Sequence, residues 1–216
     1  MDKEQLLERY IKVPTANIVD AMDRLGVARG VVQGLARLSA TQQRAAGFAL
    51  TVKQMQRHQT EQGRTLATHM QVVDELAQPG DLLVIDVGGR RDVCTGGALI
   101  ALRAKMRGVT GYLINGCLRD VQEIAALGFP VYFLGASPVK SSPDLQTVAV
   151  NSTVEIGGVQ IRPGDLIVHD DTGVVVIPPE QAAAVLAEAE AIMDKESKAE
   201  QLIKQGYSVA EAFKGA

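Results

Sequence analysis

Apolar positions along the chain switch between helical and extended spacing, and glycine or proline marks most of the switches. Leu6, Leu7 and Tyr10 form the apolar face of a first helix, and a second is predicted from a cap at Thr15 through Leu25, stopped by Gly26. Residues 30–38 read as a connection. After Gly47, residues 48–52 are apolar enough for a buried strand; 54–62 are polar, include Arg57-His58 and read as a surface loop; 65–77 read as a helix ended by Pro79-Gly80. A strand at 82–86 ends in Asp86, Gly96-Gly97 opens a helix over 98–106, Gly108 stops it, and 111–114 form the next strand. A helix over 121–127, a strand at 131–134 and a loop over 135–143 follow. Short strands at 148–150 and 153–156 lead to a Gly157-Gly158 hairpin into 159–161.

Pro163-Gly164-Asp165-Leu166 repeats Pro79-Gly80-Asp81-Leu82. The same turn-into-strand device is used twice, and nothing else recurs at that spacing, so no duplicated domain is implied. A long alanine-rich helix spans 180–205. With βαβ crossovers in the middle, hairpins later and helices at both ends, the pattern predicts a layered α/β domain over residues 1–216.

The chemistry gathers at Asn115-Gly116-Cys117-Leu118-Arg119-Asp120, where an apolar run is predicted to leave the sheet at Asn115-Gly116. Open sheets bind ligands at such strand ends. A guanidinium there can grip a carboxylate bidentately, and a carboxylate can hold a hard divalent cation. The alternative for this pair is structural: Arg119 and Asp120 cap the following helix and pair with surface neighbours. The glycine-opened helix upstream adds unpaired N–H groups and a positive dipole end suited to an anion.

In order and spacing these residues resemble the RraA-like family, which includes divalent-metal-dependent 4-hydroxy-4-methyl-2-oxoglutarate aldolases. Its signature is matched by Gly97-Ala98-Leu99-Ile100, by Gly108-Val109-Thr110-Gly111, and by Asn115-Gly116-Cys117-Leu118-Arg119-Asp120. The likeness extends over nearly the whole chain, from Pro14-Thr15-Ala16-Asn17 to Asp170-Asp171-Thr172-Gly173 and Pro178. It implies a swivelling β/β/α domain with a central βαβ unit and a long C-terminal helix, assembled as homotrimers or homohexamers with sites at subunit boundaries. It also implies Mg²⁺ or Mn²⁺ on Asp120. A 2-oxo acid would be held by Arg119 and the amides of Gly97, Ala98, Leu99 and Ile100, and its carbon–carbon bond would break to give a pyruvate enolate. Glu196, in the charged second half of the last helix, is either an ordinary solvated residue or an acid lent to the next subunit.

Two residues depart from the family pattern. Ala98 stands where aldolases carry Asp or Glu, and Asn115 stands where they carry Asp. The first removes a proton-transfer partner; the second exchanges one hydrogen-bonding side chain for another. The base is then a metal-bound water or a carboxylate such as Asp92, Asp170, Asp171 or Glu196. Oxaloacetate decarboxylation, which has no hydroxyl to deprotonate, is the reaction least affected. The competing class is a non-catalytic binding protein resembling the family's ribonuclease regulators; Ala98 favours it and Asp120 opposes it. A third reading is a lyase or hydrolase of the same scaffold with another substrate. No nucleotide-cofactor glycine fingerprint supports a methyltransferase.

Composition narrows the partners. The 216 residues are 46% hydrophobic, enough for a real core, and carry a net charge of −3 with scattered cations, so no nucleic-acid footprint is visible. No apolar run reaches membrane-spanning length and no signal-peptide core follows Met1, so a cytoplasmic protein without membrane contact is expected. Cys94 and Cys117 lack metal-ligand spacing and are expected to stay reduced. Of the three histidines, His58 and His69 read as structural or exposed, and His169, beside Asp170, is the one worth testing.

Overall fold

A computed structural model of the chain describes residues 2–58 and 65–216. Helices α1 (Lys3–Tyr10) and α2 (Thr15–Arg24) lead into two short strands, β1 (Val31–Val32) and β2 (Ala36–Arg37), where a plain connection was expected. The long strand β3 (Ala45–Gln56) follows, so the start of the predicted 54–62 loop is strand; residues 59–62 of that loop lie outside the described residues. Helix α3 (His69–Gln71) continues as a π-helical turn (Val72–Leu76) into β4 (Asp81–Asp86). Next come α4 (Ala98–Met106), β5 (Gly111–Leu118), α5 (Val121–Ala126) and β6 (Val131–Ala136). Strands β7 (Leu145–Val150), β8 (Val154–Ile156), β9 (Val159–Ile161), β10 (Leu166–His169) and β11 (Val174–Ile177) precede α6 (Ala182–Lys204) and a final helix, α7 (Val209–Gly215).

The main sheet has the order β1-β11-β10-β3-β4-β5-β6-β2, with β7 added along the far end of β3. The β3/β4, β4/β5 and β5/β6 pairs are parallel and the others antiparallel. Alternation along β4 divides the interior. Leu83 and Ile85 face Val73, Ala101, Ala104 and Ile124 under the helices, whereas Leu82 and Val84 face Ile156, Ile161 and Tyr132 beneath the β8–β9 hairpin. A third cluster joins Tyr10, Ile18 and Met22 to Val185 and Leu186 of α6 over β10 and β11. The molecule is thus a layered, mixed α/β structure with a long C-terminal helix.

The repeated Pro-Gly-Asp device recurs in three dimensions. Gly80 and Gly164 have φ of 87° and 82°, and Asp81 and Asp165 each accept a hydrogen bond from the backbone N–H three residues earlier, at 2.8 and 2.7 Å. Proline second and a positive-φ glycine third is the requirement of a type II turn. The two turns deliver β4 and β10 to opposite edges of β3.

Three sequence expectations are corrected. The chain does not leave the sheet at Asn115-Gly116: β5 runs on to Leu118, with a register shift against β6 between Ile114 and Cys117 that absorbs the step. Thr15 is not the cap of α2, because Pro14 occupies that position and the Thr15 hydroxyl donates instead to Asp170 at 2.7 Å. The predicted 65–77 helix starts only at a Thr68/Gln71 capping box and widens at once, closing with an Ala77 N–H to Val72 carbonyl bond of 2.9 Å. Among the described residues no helix is long and apolar enough to cross a membrane.

Candidate active site

The site is built where α4 starts, β5 ends and α3 begins. Arg119 follows the last residue of β5, its N–H held by the Gly96 carbonyl at 3.0 Å, and Asp120 follows in the left-handed region with φ 55° and ψ 41°. Although Asp120 stands at the amino end of α5, its side chain does not cap that helix. It reaches back to α4, where Oδ2 accepts the Ala98 N–H at 3.1 Å and lies 3.6 Å from Arg119 Nε. The structural alternative, in which the pair caps the following helix, therefore does not hold for the Asp120 side chain.

What remains unused is informative. Oδ1 of Asp120 and the two terminal nitrogens of Arg119 have no partner among the described residues, and both side chains are about half exposed (42% and 48%). Gly97, at the cap position of α4, has no side chain to offer, and beyond the Ala98 N–H taken by Asp120 the first-turn N–H groups of Leu99 and Ile100 face whatever lies before them. Gly97 is needed for this closeness: a Cβ there would fall 2.4 Å from Asp120 Oδ2 and 3.0 Å from Arg119 Cγ.

These groups border an open cleft of about 280 Å³, lined by residues 68–70, 94–97, 99–100, 119–120 and 140–142. Gly97, Leu99, Ile100, Arg119 and Asp120, all anticipated from sequence, come together here. Ala98 contributes its N–H, but its methyl packs against the helix-side core and does not line the cleft. Asn115 lies one strand-end away, donating at 3.0 Å to buried Asp86, which is also ion-paired with Lys53. Glu196 accepts from Asn17 at 2.5 Å and is absent from the cleft lining.

Sequence reasoning missed His69 and Lys140. His69 lines the cleft, is 9% exposed, and its Nδ1 lies 2.9 Å from the Thr95 carbonyl oxygen; burial holds its pKa below the ordinary value. Lys140 places a second cation along the same rim as Arg119. His169, the histidine singled out from sequence, is fully buried between Tyr132 and Gly111, away from the cleft. The capping box at Thr68 was a readable sign that something is positioned at residue 69; nothing in the sequence pointed to Lys140.

Among the described residues no cluster of three His, Cys, Asp or Glu side chains forms a closed metal cage. A single outward carboxylate suits a hard cation such as Mg²⁺ or Mn²⁺, which keeps waters and takes its remaining oxygens from a ligand. The donor set therefore fits such an ion and not a structural zinc.

Comparison with known proteins places this geometry. The RraA-like family model, described as Aldolase/RraA, matches residues 15–176. The chain belongs to the RraA-like family. A Halalkalibacterium halodurans relative carrying the name putative 4-hydroxy-4-methyl-2-oxoglutarate aldolase is 30% identical over 207 residues, 96% of this chain and 92% of its own. An uncharacterised Pseudomonas syringae pv. tomato protein superposes with a TM-score of 0.83 at 27% identity, covering 97% of this chain and 96% of its own. Streptomyces coelicolor RraAS2, described as an unusual member of the RNase ES inhibitor RraA family, gives a TM-score of 0.77 at 28% identity, covering 89% and 94%. This RraA-like chain is thus related both to a protein named as an aldolase and to one named with ribonuclease inhibitors.

Proposed function

We propose that this RraA-like protein is a divalent-metal-dependent carbon–carbon lyase that cleaves or decarboxylates a 2-oxo acid through a pyruvate enolate. The observation that carries the reading is the pair Arg119–Asp120, poised with unused oxygen and nitrogen atoms at the start of α4, where the Leu99 and Ile100 N–H groups stay open. Half-exposed ionic groups that keep free oxygen and nitrogen atoms at a cleft are more useful to a ligand than to the fold.

The residues divide the work as follows. Arg119 grips the substrate carboxylate with its terminal nitrogens, and the Leu99 and Ile100 N–H groups offer further donors to that acid end. Asp120, steadied by the Ala98 N–H, holds the cation with its free oxygen. A bound Mg²⁺ or Mn²⁺ would supply Lewis-acid stabilisation of the charge developing on the keto oxygen. Leu99, Ile100 and Met70 provide the apolar wall that excludes water when the cleft is filled.

We also infer self-assembly into a homotrimer or homohexamer through α4. Leu99, Leu102 and Met106 share one face at i, i+3 and i+7 and are 82%, 39% and 72% exposed. Leu99 belongs both to this face and to the cleft, so a neighbouring copy would close the site.

The test is pyruvate release from oxaloacetate with and without EDTA. EDTA should abolish it, Mg²⁺ or Mn²⁺ should restore it, and Asp120→Asn should remove both the activity and its metal dependence while the protein still folds. Full activity in Asp120→Asn would exclude the metal assignment. The absence of any release in the wild type would leave a ribonuclease-regulator-like binding role, favoured by Ala98 and by the exposed α4 face.

A further inference from the structure

The wall of the cleft holds a proton acceptor, just beneath its surface, that the lyase reading leaves unused. Cleavage of a 4-hydroxy-2-oxo acid needs a base for the hydroxyl, and within a single chain the carboxylates considered from sequence are committed or remote. Asp92 pairs with Arg90 at 2.5 Å, Asp170 is buried under Thr15, Glu196 is held by Asn17, and none of these or Asp171 lines the cleft.

His69 does line it. A carbonyl oxygen can only accept, so the 2.9 Å contact with Thr95 places the proton on Nδ1 and leaves Nε2 as the bare nitrogen of a neutral ring. Nε2 is buried and has no partner; among the described residues lining the cleft it is the one buried side-chain polar atom of which this is true. Leaving a buried acceptor orphaned is costly, and a native structure that keeps one calls for a reason. Packing supplies part of the alternative, since the ring lies 5.8 Å from that of Tyr112. Packing and the Thr95 bond account for the ring and for Nδ1, but neither accounts for the bare acceptor at Nε2.

The surrounding backbone points the same way. A Cβ at Gly96 would come within 2.9 Å of both Cε1 and Nδ1 of His69, while a Cβ at Gly97 would strike Asp120 and Arg119. Consecutive glycines therefore bring the imidazole and the carboxylate–guanidinium pair to adjacent steps of one loop.

We propose that His69 is the proton-transfer residue of this site, its Nε2 taking the proton of the 4-hydroxyl of a 2-oxo acid during carbon–carbon cleavage. The inference rests on the lyase reading above. As the proton moves to Nε2, the O–H electron pair becomes the new C4=O bond. The C3–C4 bond breaks and its electrons form the enolate of the 2-oxo fragment. The imidazolium then returns the proton to C3, giving the ketone form of pyruvate and restoring neutral His69. Decarboxylation of oxaloacetate breaks the C3–C4 bond with loss of CO₂, forms the same enolate without deprotonating a hydroxyl, and takes its C3 proton from water.

That difference provides the test. His69→Asn keeps a donor for Thr95 near the Nδ1 position and removes Nε2. Cleavage of 4-hydroxy-4-methyl-2-oxoglutarate should fall about 10²- to 10⁴-fold, and the ratio of cleavage to oxaloacetate decarboxylation should fall at least about tenfold. An equal fall in both rates, or no change in their ratio, overturns the proposal. If the variant does not fold, the wild type still decides: ¹⁵N spectra of histidine-labelled protein at pH 7 should show a protonated Nδ1 and a bare Nε2, and the opposite tautomer overturns it. A wild type that performs neither reaction fails the lyase reading itself, a result separable from the others because it needs no variant.

Discussion

Asp120 shows how one residue can serve two helices. Its backbone turns the chain into α5 through a left-handed conformation that Asp tolerates better than most residues, while its carboxylate fastens the first turn of α4. Neighbouring Arg119 is spared strong pairing, since only Nε approaches Asp120, at 3.6 Å, and the far end of the guanidinium stays open. Charge at position 119 and fork geometry can therefore be separated. Arg119→Lys keeps the cation but cannot make two parallel bonds to a carboxylate, so KM for the 2-oxo acid should rise about tenfold or more with little change in thermal stability. An unchanged kcat/KM would return Arg119 to the surface.

Among the elements, the Gly96-Gly97 step decides whether the site exists. Gly97 has φ −150°, a conformation open to any residue, so Gly97→Ala adds no backbone strain. Its methyl must instead push aside Asp120 and Arg119, whose half-exposed side chains can swing outward at about 1 kcal/mol or less. Activity should drop at least about tenfold while the melting temperature moves little; the same methyl leaving activity intact would mean that Asp120 does not act from its present position. The bounds of α4 were legible in the sequence because two glycines precede it and Gly108 ends it. So were the Pro-Gly-Asp turns, whose requirements are local. The continuation of β5 through Asn115-Gly116 was not, because a bulge is a relation between strands and Gly116 reads as a breaker until Val87 is seen packed against it. Strands β1 and β2 were missed because each is two residues long and owes its form to its partner, β11 or β6. The cleft draws on short segments near residues 69, 96, 119 and 141, so periodicity within any one of them carries no trace of His69 or Lys140 beside Arg119.

The whole molecule holds a second histidine far from solvent, and its burial ties the stability of the fold to pH. His169 closes β10 between β3 and β11, with Ala45 and Val174 opposite it in register and the Tyr132 ring 5.3 Å away. Both ring nitrogens are buried without partners, and burial pushes its pKa down to about 4. An unfolded histidine titrates near ~6.5, so on acidification the unfolded chain takes up a proton that the folded chain refuses. The native state loses stability as pH falls from about 6.5 toward 4, by up to ~1.4 kcal/mol per pH unit and on the order of 3 kcal/mol over the window. His69, also shifted down by burial, adds to the loss with the same sign, whereas Asp170, held below the usual carboxylate range by its bonds to Thr15 and the following turn, titrates beneath this window. His169→Phe keeps an aromatic ring against Tyr132 and the space over Gly111, and removes both the titration and the two orphan nitrogens. Its urea midpoint should match or exceed wild type at pH 7.5 and fall clearly less between pH 6.5 and pH 4.5. Parallel losses in the two proteins would show that the acid sensitivity arises elsewhere, with the paired carboxylates the next groups to examine.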